Sequence, residues 1–161
     1  MIPDDTAQAV ATARRLADRL NRSLATLAPF HPFDGHSVLA ADAALPDASD
    51  AFLKRYENLV SHLQDQVWRR IVVEEGLRDP AEMSRRDIAE QMERAGLLPD
   101  ALGFLDAVRI RNRLAHLYPD DPERQARRLN EGYGASALLL DCVSRAEAWL
   151  ARRRPIPPAS P

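Results

Sequence analysis

The chain is 161 residues long, 45% apolar, 29% charged and 6% aromatic, the profile of a globular domain able to bury a core. Its net charge of −2 gives no overall electrostatic case for nucleic acid, and the lone Cys142 excludes an intrachain disulfide and a cysteine-based zinc site. The opening MIPDDTAQAVATARR lacks the basic-then-apolar order of a secretory signal, and no stretch approaches the ~18 apolar residues of a membrane span, so a cytoplasmic protein is expected.

In chain order, Asp4, Asp5 and Thr6 offer N-cap chemistry for an alanine- and leucine-rich helix reaching about Leu27. Residues 29–49, rich in proline, read as a long loop with a short helical turn around Val38 to Ala44. Ser49 or Asp50 then caps a helix whose Phe52, Tyr56, Leu59, Val60, Leu63, Val67 and Ile71 recur in steps of three and four, ending near Gly76. Ser84 opens a shorter helix carrying Ile88, Met92 and Ala95, stopped by Gly96. Pro99 and Asp100 open the next, with apolar positions Leu102, Leu105, Val108 and Ala115. A last helix runs from about Pro122 to Arg153, with a bend expected at Gly132–Gly134, and buries Leu138, Leu139, Val143 and Trp149. No strand-like alternation is present. The expectation is an all-α antiparallel bundle of four to five helices over residues 1–154, with 155–161 (PIPPASP is the tail's sequence) disordered.

Charge is uneven along this frame. Between Arg109 and Arg128 stand six arginines, at 109, 111, 113, 124, 127 and 128, against the acids Asp120, Asp121 and Glu123. Of all basic residues only Lys54 is a lysine, and arginine is the better fork for phosphate. Within this stretch lies RNRLAHLY, residues 111–118, at a helix end marked by Pro119. On a helix Arg111 and Tyr118 are seven positions apart and share a face to within about 20°, whereas His116 lies about 140° round from Arg111. One copy therefore does not focus the three groups on a single atom, but two copies across a two-fold axis would surround one extended ligand. Histidine exchanges protons near neutral pH and arginine stabilises charge developing on a phosphoryl group. Together they suit metal-free RNA cleavage by attack of a ribose 2′-hydroxyl on the adjacent phosphate. Taken singly, each residue has a plainer reading: a helix-dipole histidine, a Tyr-Pro helix stop and a solvated arginine. The combination Arg, four residues, His, one residue, Tyr is expected by chance in roughly one chain per hundred of this composition.

Arg111, His116 and Tyr118 resemble the R-x4-H-x-Y signature of HEPN-domain ribonucleases, and more specifically of HepT-type toxins from HepT/MntA (type VII-like) toxin–antitoxin modules. Asn112 is the polar residue usual after that arginine, Gly96-Leu97-Leu98-Pro99 resembles the turn before the motif helix, and Asp120 and Asp121 stand where the family often has an acid. The similarity covers about residues 50–150. It implies a HEPN-like helical homodimer, cytoplasmic, with no cofactor and no metal. It implies an endoribonuclease acting on an RNA such as tRNA or mRNA, with Arg111 and His116 catalytic and Asn112 supporting. It implies that Tyr118 is the site where a minimal nucleotidyltransferase antitoxin, MntA-like, attaches AMP, excluding RNA by charge and bulk. Arg113, Arg124, Arg127 and Arg128 are candidate RNA contacts. A second reading is a non-catalytic HEPN-like binding module for a nucleotidyltransferase, and a third is a helical scaffold.

Other candidates are plainer. His31 and His36 flank Asp34 with no standard metal spacing. His62, beside Leu59 and Leu63, reads as a partly buried, hydrogen-bonded histidine. Glu57 and Asp65 are possible orienting acids for Arg111 or His116. Trp68 and Trp149 read as core, and Arg152, Arg153 and Arg154 as a solvated helix end.

Overall fold

The computed structural model describes residues 4–39, 44–114 and 120–153, and within these every regular element is helical and no strand occurs. The helices are α1 (Asp4–Leu27), α2 (Gly35–Leu39), α3 (Ala44–His62), α4 (Trp68–Glu74), α5 (Arg85–Arg94), α6 (Ala101–Leu114) and α7 (Pro122–Arg153). A π-helical turn, Leu63–Val67, fuses α3 and α4 into one rod, so with α1, α5, α6 and α7 there are five principal helical rods among the described residues, within the four to five expected. α1 packs against α3 and α7, α6 against α7, α3 and α5, and the short α2 lies on α7.

α1 forms because alanine, leucine and arginine dominate it and its buried stripe, Thr6, Val10, Ala13, Ala17, Leu20, Ser23 and Leu27, recurs every three or four residues. α3 begins at Ala44, five residues before the expected cap at Ser49. Pro46 lies in the first turn, where backbone N–H groups have no helical partner, so the proline starts the helix instead of breaking it. The expected helical turn at Val38 to Ala44 falls instead at Gly35–Leu39, and residues 40–43 lie outside the described residues. The π turn adds a residue to the rod, and the apolar residues on both sides of it, Leu59, Leu63, Val67, Trp68 and Ile71, are fully buried.

α5 opens with a reciprocal capping box: the Asp87 amide donates to Ser84 Oγ at 3.1 Å, and the Ser84 amide to Asp87 Oδ2 at 2.9 Å. Hydrogen bonds from the Ser84 side chain and then its backbone hold the Asp87 carboxyl below its usual value. Because the folded value is lowered, that stabilisation is present at neutral pH and is lost as pH falls through it. Gly76 and Gly96 end their helices at φ +65° and +74°, as expected of left-handed caps. Ala95 is exposed, and Ala89 takes its expected place in the core.

Two expectations about α6 and α7 are corrected. The buried face of α6 is Ala101, Phe104, Ala107, Val108, Ile110 and Leu114, while Leu102 is 62% exposed and Leu105 half-buried; Ala115 lies outside the described residues. In this rotation Phe104 packs its ring edge-on to Trp68 at 6.1 Å. α7 is one unbroken helix through Gly132–Gly134. Gly132 serves close packing: a Cβ there would stand 3.2 Å from Leu114 Cδ1 and 3.3 Å from Phe52 Cε1. Leu139, Val143 and Trp149 are buried as expected, with Leu138 half-buried, and the tail 155–161 lies outside the described residues.

These placements predict opposite effects at two positions in urea unfolding. Gly134 is exposed with open space around it, so Gly134→Ala raises stability by about 1 kcal/mol. Phe52 is fully buried, so Phe52→Ala lowers stability by about 3–5 kcal/mol. An unchanged or lowered midpoint for Gly134→Ala would contradict a continuous α7.

Candidate functional site

The rotation of α6 places Arg111 three positions after Val108 and seven after Phe104, at the edge of the buried stripe. Its guanidinium is consequently half-buried and held at three nitrogens. Nη1 donates to Ser61 Oγ on α3 at 3.0 Å, while Nε and Nη2 donate to Asn112 Oδ1 at 3.1 and 2.8 Å. All of these partners are neutral, so the arginine is positioned without being neutralised. Asn112, expected from the resemblance as a supporting residue, is thus bonded to Arg111.

A pocket of about 270 Å³ opens beside this arginine, between Arg111 and Leu114 of α6 and Asp50, Leu53, Lys54, Tyr56 and Glu57 of α3. Tyr56 is fully buried, and its hydroxyl donates to the Ala107 carbonyl at 3.0 Å. Burial drives the phenol's pKa upward, opposed only in part by Arg113 and Arg111, so it keeps its proton and remains a donor. Glu57, one of the acids expected to orient Arg111 or His116, does not bond Arg111 but pairs with Lys54 at 3.1 Å, and His116 lies outside the described residues. Asp65 accepts from Gln64 Nε2 at 3.1 Å. The orienting group is Ser61, which periodicity alone does not single out because it lies 50 positions from Arg111 in the chain.

The end of α6 is tied to α7. Arg128, only 8% exposed, donates from Nη1 to the Arg113 carbonyl at 2.7 Å, satisfying one of the carbonyls a helix end leaves open. Arg128, named from the sequence as a candidate RNA contact, is therefore buried and supports the end of α6. Arg113 pairs with Glu131 at 2.9 Å, both about half exposed, an ion pair worth little in water. Arg124 and Arg127 are exposed on the first turns of α7, which Asp121 caps by accepting from the Arg124 amide at 3.0 Å. His116 and Tyr118, the other two motif residues, lie outside the described residues.

The proline-rich segment is docked on α7. The Phe33 amide donates to Asn130 Oδ1 at 2.9 Å, Asn130 Nδ2 donates to the Phe33 carbonyl at 2.8 Å, and the His31 ring stacks on Tyr133 at 4.2 Å. The Gly35 amide donates to Glu123 Oε1 at 2.9 Å. Asp34 caps α2 by accepting from the Ser37 amide at 2.7 Å, and its carboxyl is held low by the Ser37 backbone and side-chain hydrogen bonds. No group of three or more His, Cys, Asp or Glu side chains among the described residues is placed to hold a metal ion. His62 is half-buried with Nε2 at 2.8 Å from the Ala9 carbonyl, Trp68 and Trp149 are core, and Arg153 pairs with Glu75 while lying over the Trp149 ring at 4.4 Å. No helix among the described residues is long and apolar enough to cross a membrane. No family model, curated protein or solved structure matches the chain.

Cys142 is fully buried in α7, and burial pushes its thiol up to about 12, so it is no nucleophile in the folded state. Native protein at pH 8 is expected to resist alkylation by iodoacetamide and to take up one equivalent once unfolded in urea. Rapid labelling of the native chain would contradict the buried assignment.

Proposed function

We propose that the chain is a metal-independent endoribonuclease toxin of the HepT type, acting as a homodimer. The observation that carries this reading is the state of Arg111: a half-buried guanidinium fixed by Ser61 and Asn112, facing a pocket and bonded to no carboxylate among the described residues. A solvated surface arginine needs no such support, whereas a group that must meet a phosphate in one geometry does. The sequence spacing of Arg111, His116 and Tyr118 supports the same reading.

In the proposed step His116 removes the proton from a ribose 2′-hydroxyl, and the oxygen forms a bond to the adjacent phosphorus. Arg111 stabilises the charge on the phosphorane. The P–O5′ bond then breaks, and the partner's His116 gives its proton to the leaving oxygen, so that a 2′,3′-cyclic phosphate and a free 5′-hydroxyl result. Tyr118 is the proposed acceptor of AMP from ATP by a minimal nucleotidyltransferase antitoxin, whose added phosphate would repel the RNA.

Two experiments check the proposal. Purified protein incubated with total RNA in EDTA should cleave it, and Arg111→Ala and His116→Ala should each lose at least 100-fold in rate while keeping the helical circular dichroism spectrum. Full cleavage by both variants would overturn the catalytic assignment. A wild type that cuts nothing yet binds the nucleotidyltransferase stably would replace it with the non-catalytic binding module. Separately, intact mass after incubation with the nucleotidyltransferase and ATP should rise in multiples of AMP, and Tyr118→Phe should abolish the gain.

A further inference from the structure

We propose that a groove between α1 and α3 is a binding track for the backbone of single-stranded RNA, leading away from Arg111 along the N-terminal helix. The groove has a volume of about 320 Å³, and its charged lining is Arg19 and Arg22 of α1 with Lys54 and Arg55 of α3. Among the described residues no acidic side chain lines it. On a chain of net charge −2 this is a local excess that like-charge repulsion disfavours in the absence of a polyanion.

The four cations differ in how they are held. Arg55 is anchored, donating from Nη1 to Ser23 Oγ at 2.6 Å and to the Arg19 carbonyl at 3.4 Å. Arg19 and Arg22 are exposed, one helical turn apart, and make no side-chain hydrogen bond or ion pair among the described residues. Between Asp18 and Asp34 the sequence has no acid at all. Lys54 touches Glu57, but both are exposed and such a pair is readily exchanged for a phosphate.

Lys54 also lines the Arg111 pocket, so the two depressions share a wall. Lys54 and Ser61, the residue that holds Arg111, are seven positions apart on α3, about 10 Å along one face. A strand whose scissile phosphate met Arg111 would thus find Lys54 next and the α1 arginines beyond it. Among the described residues no aromatic side chain lines the groove, so the contacts are to phosphates and independent of base sequence. None of the large exposed apolar side chains, Phe30, Leu39, Val73, Leu77 and Leu102, borders it, which disfavours a membrane surface as the occupant. The proposal rests on the ribonuclease reading for the identity of the polyanion, not for the charge of the groove.

The test is fluorescence anisotropy with a labelled single-stranded 2′-O-methyl RNA, which lacks the attacking hydroxyl and separates binding from cleavage. Arg19→Glu/Arg22→Glu should weaken binding at least tenfold at low salt and reduce the slope of log K against log salt by about 1.4, at ~0.7 per lost phosphate contact. Arg19→Gln/Arg22→Gln should show a smaller loss in the same direction and guards against misfolding of the charge-reversed variant. Arg78→Glu/Arg94→Glu, the same charge change near α5, should leave affinity within twofold of wild type. Equal weakening in that control, or unchanged binding in both α1 variants, would overturn the track, as would displacement of RNA by poly-glutamate at equal charge concentration. Binding that follows the prediction while ordinary RNA stays uncut would preserve the track and remove the ribonuclease reading.

Discussion

One buried phenol sets the geometry around Arg111. Tyr56 stands fully inside the fold and donates its hydroxyl to the Ala107 carbonyl, joining α3 to the middle of α6. An unpaired hydroxyl in that position would cost about 1–3 kcal/mol, so the two helices are held in a single rotation and register. That rotation sends Phe104 to Trp68, leaves Leu102 in solvent and brings Arg111 within reach of Ser61. The end of the same helix is secured from the other side, where Arg128 satisfies the Arg113 carbonyl and Gly132 lets α7 approach Leu114 and Phe52.

The arginines that dominate the basic content have different fates that charge alone does not reveal. Arg128 is buried, and its hydrogen bond supports the α6 end. Arg113 and Arg145 are engaged by carboxylates at 2.9 and 2.7 Å, and Arg153 pairs with Glu75. Arg111 is held by a hydroxyl and an amide, which fix its direction and leave its charge available. The segment before α3, which reads as loop from its prolines, is docked on α7 through Asn130, Tyr133 and Glu123, polar and aromatic partners about 90–100 positions away in the chain. No local pattern reports contacts at that separation.

The sequence by itself determined the helical class, the helices themselves and the caps at Gly76, Ser84 and Gly96. Steps of three and four residues, a Ser-x-x-Asp box at Ser84 and glycines at 76 and 96 are local signals, and their energetics act within one or two turns. The family resemblance also placed Asn112 beside Arg111, and the two side chains are hydrogen-bonded in the fold. Only the tertiary structure decided which face of α6 is buried, that Ser61 rather than Glu57 or Asp65 orients Arg111, that Arg128 turns inward, and that Arg19, Arg22, Lys54 and Arg55 line one groove. The physical reason is common to all four. Apolar residues on α6 leave two nearly equivalent stripes, and the choice between them, like the pairing of polar groups from separate helices, depends on packing that no single helix contains.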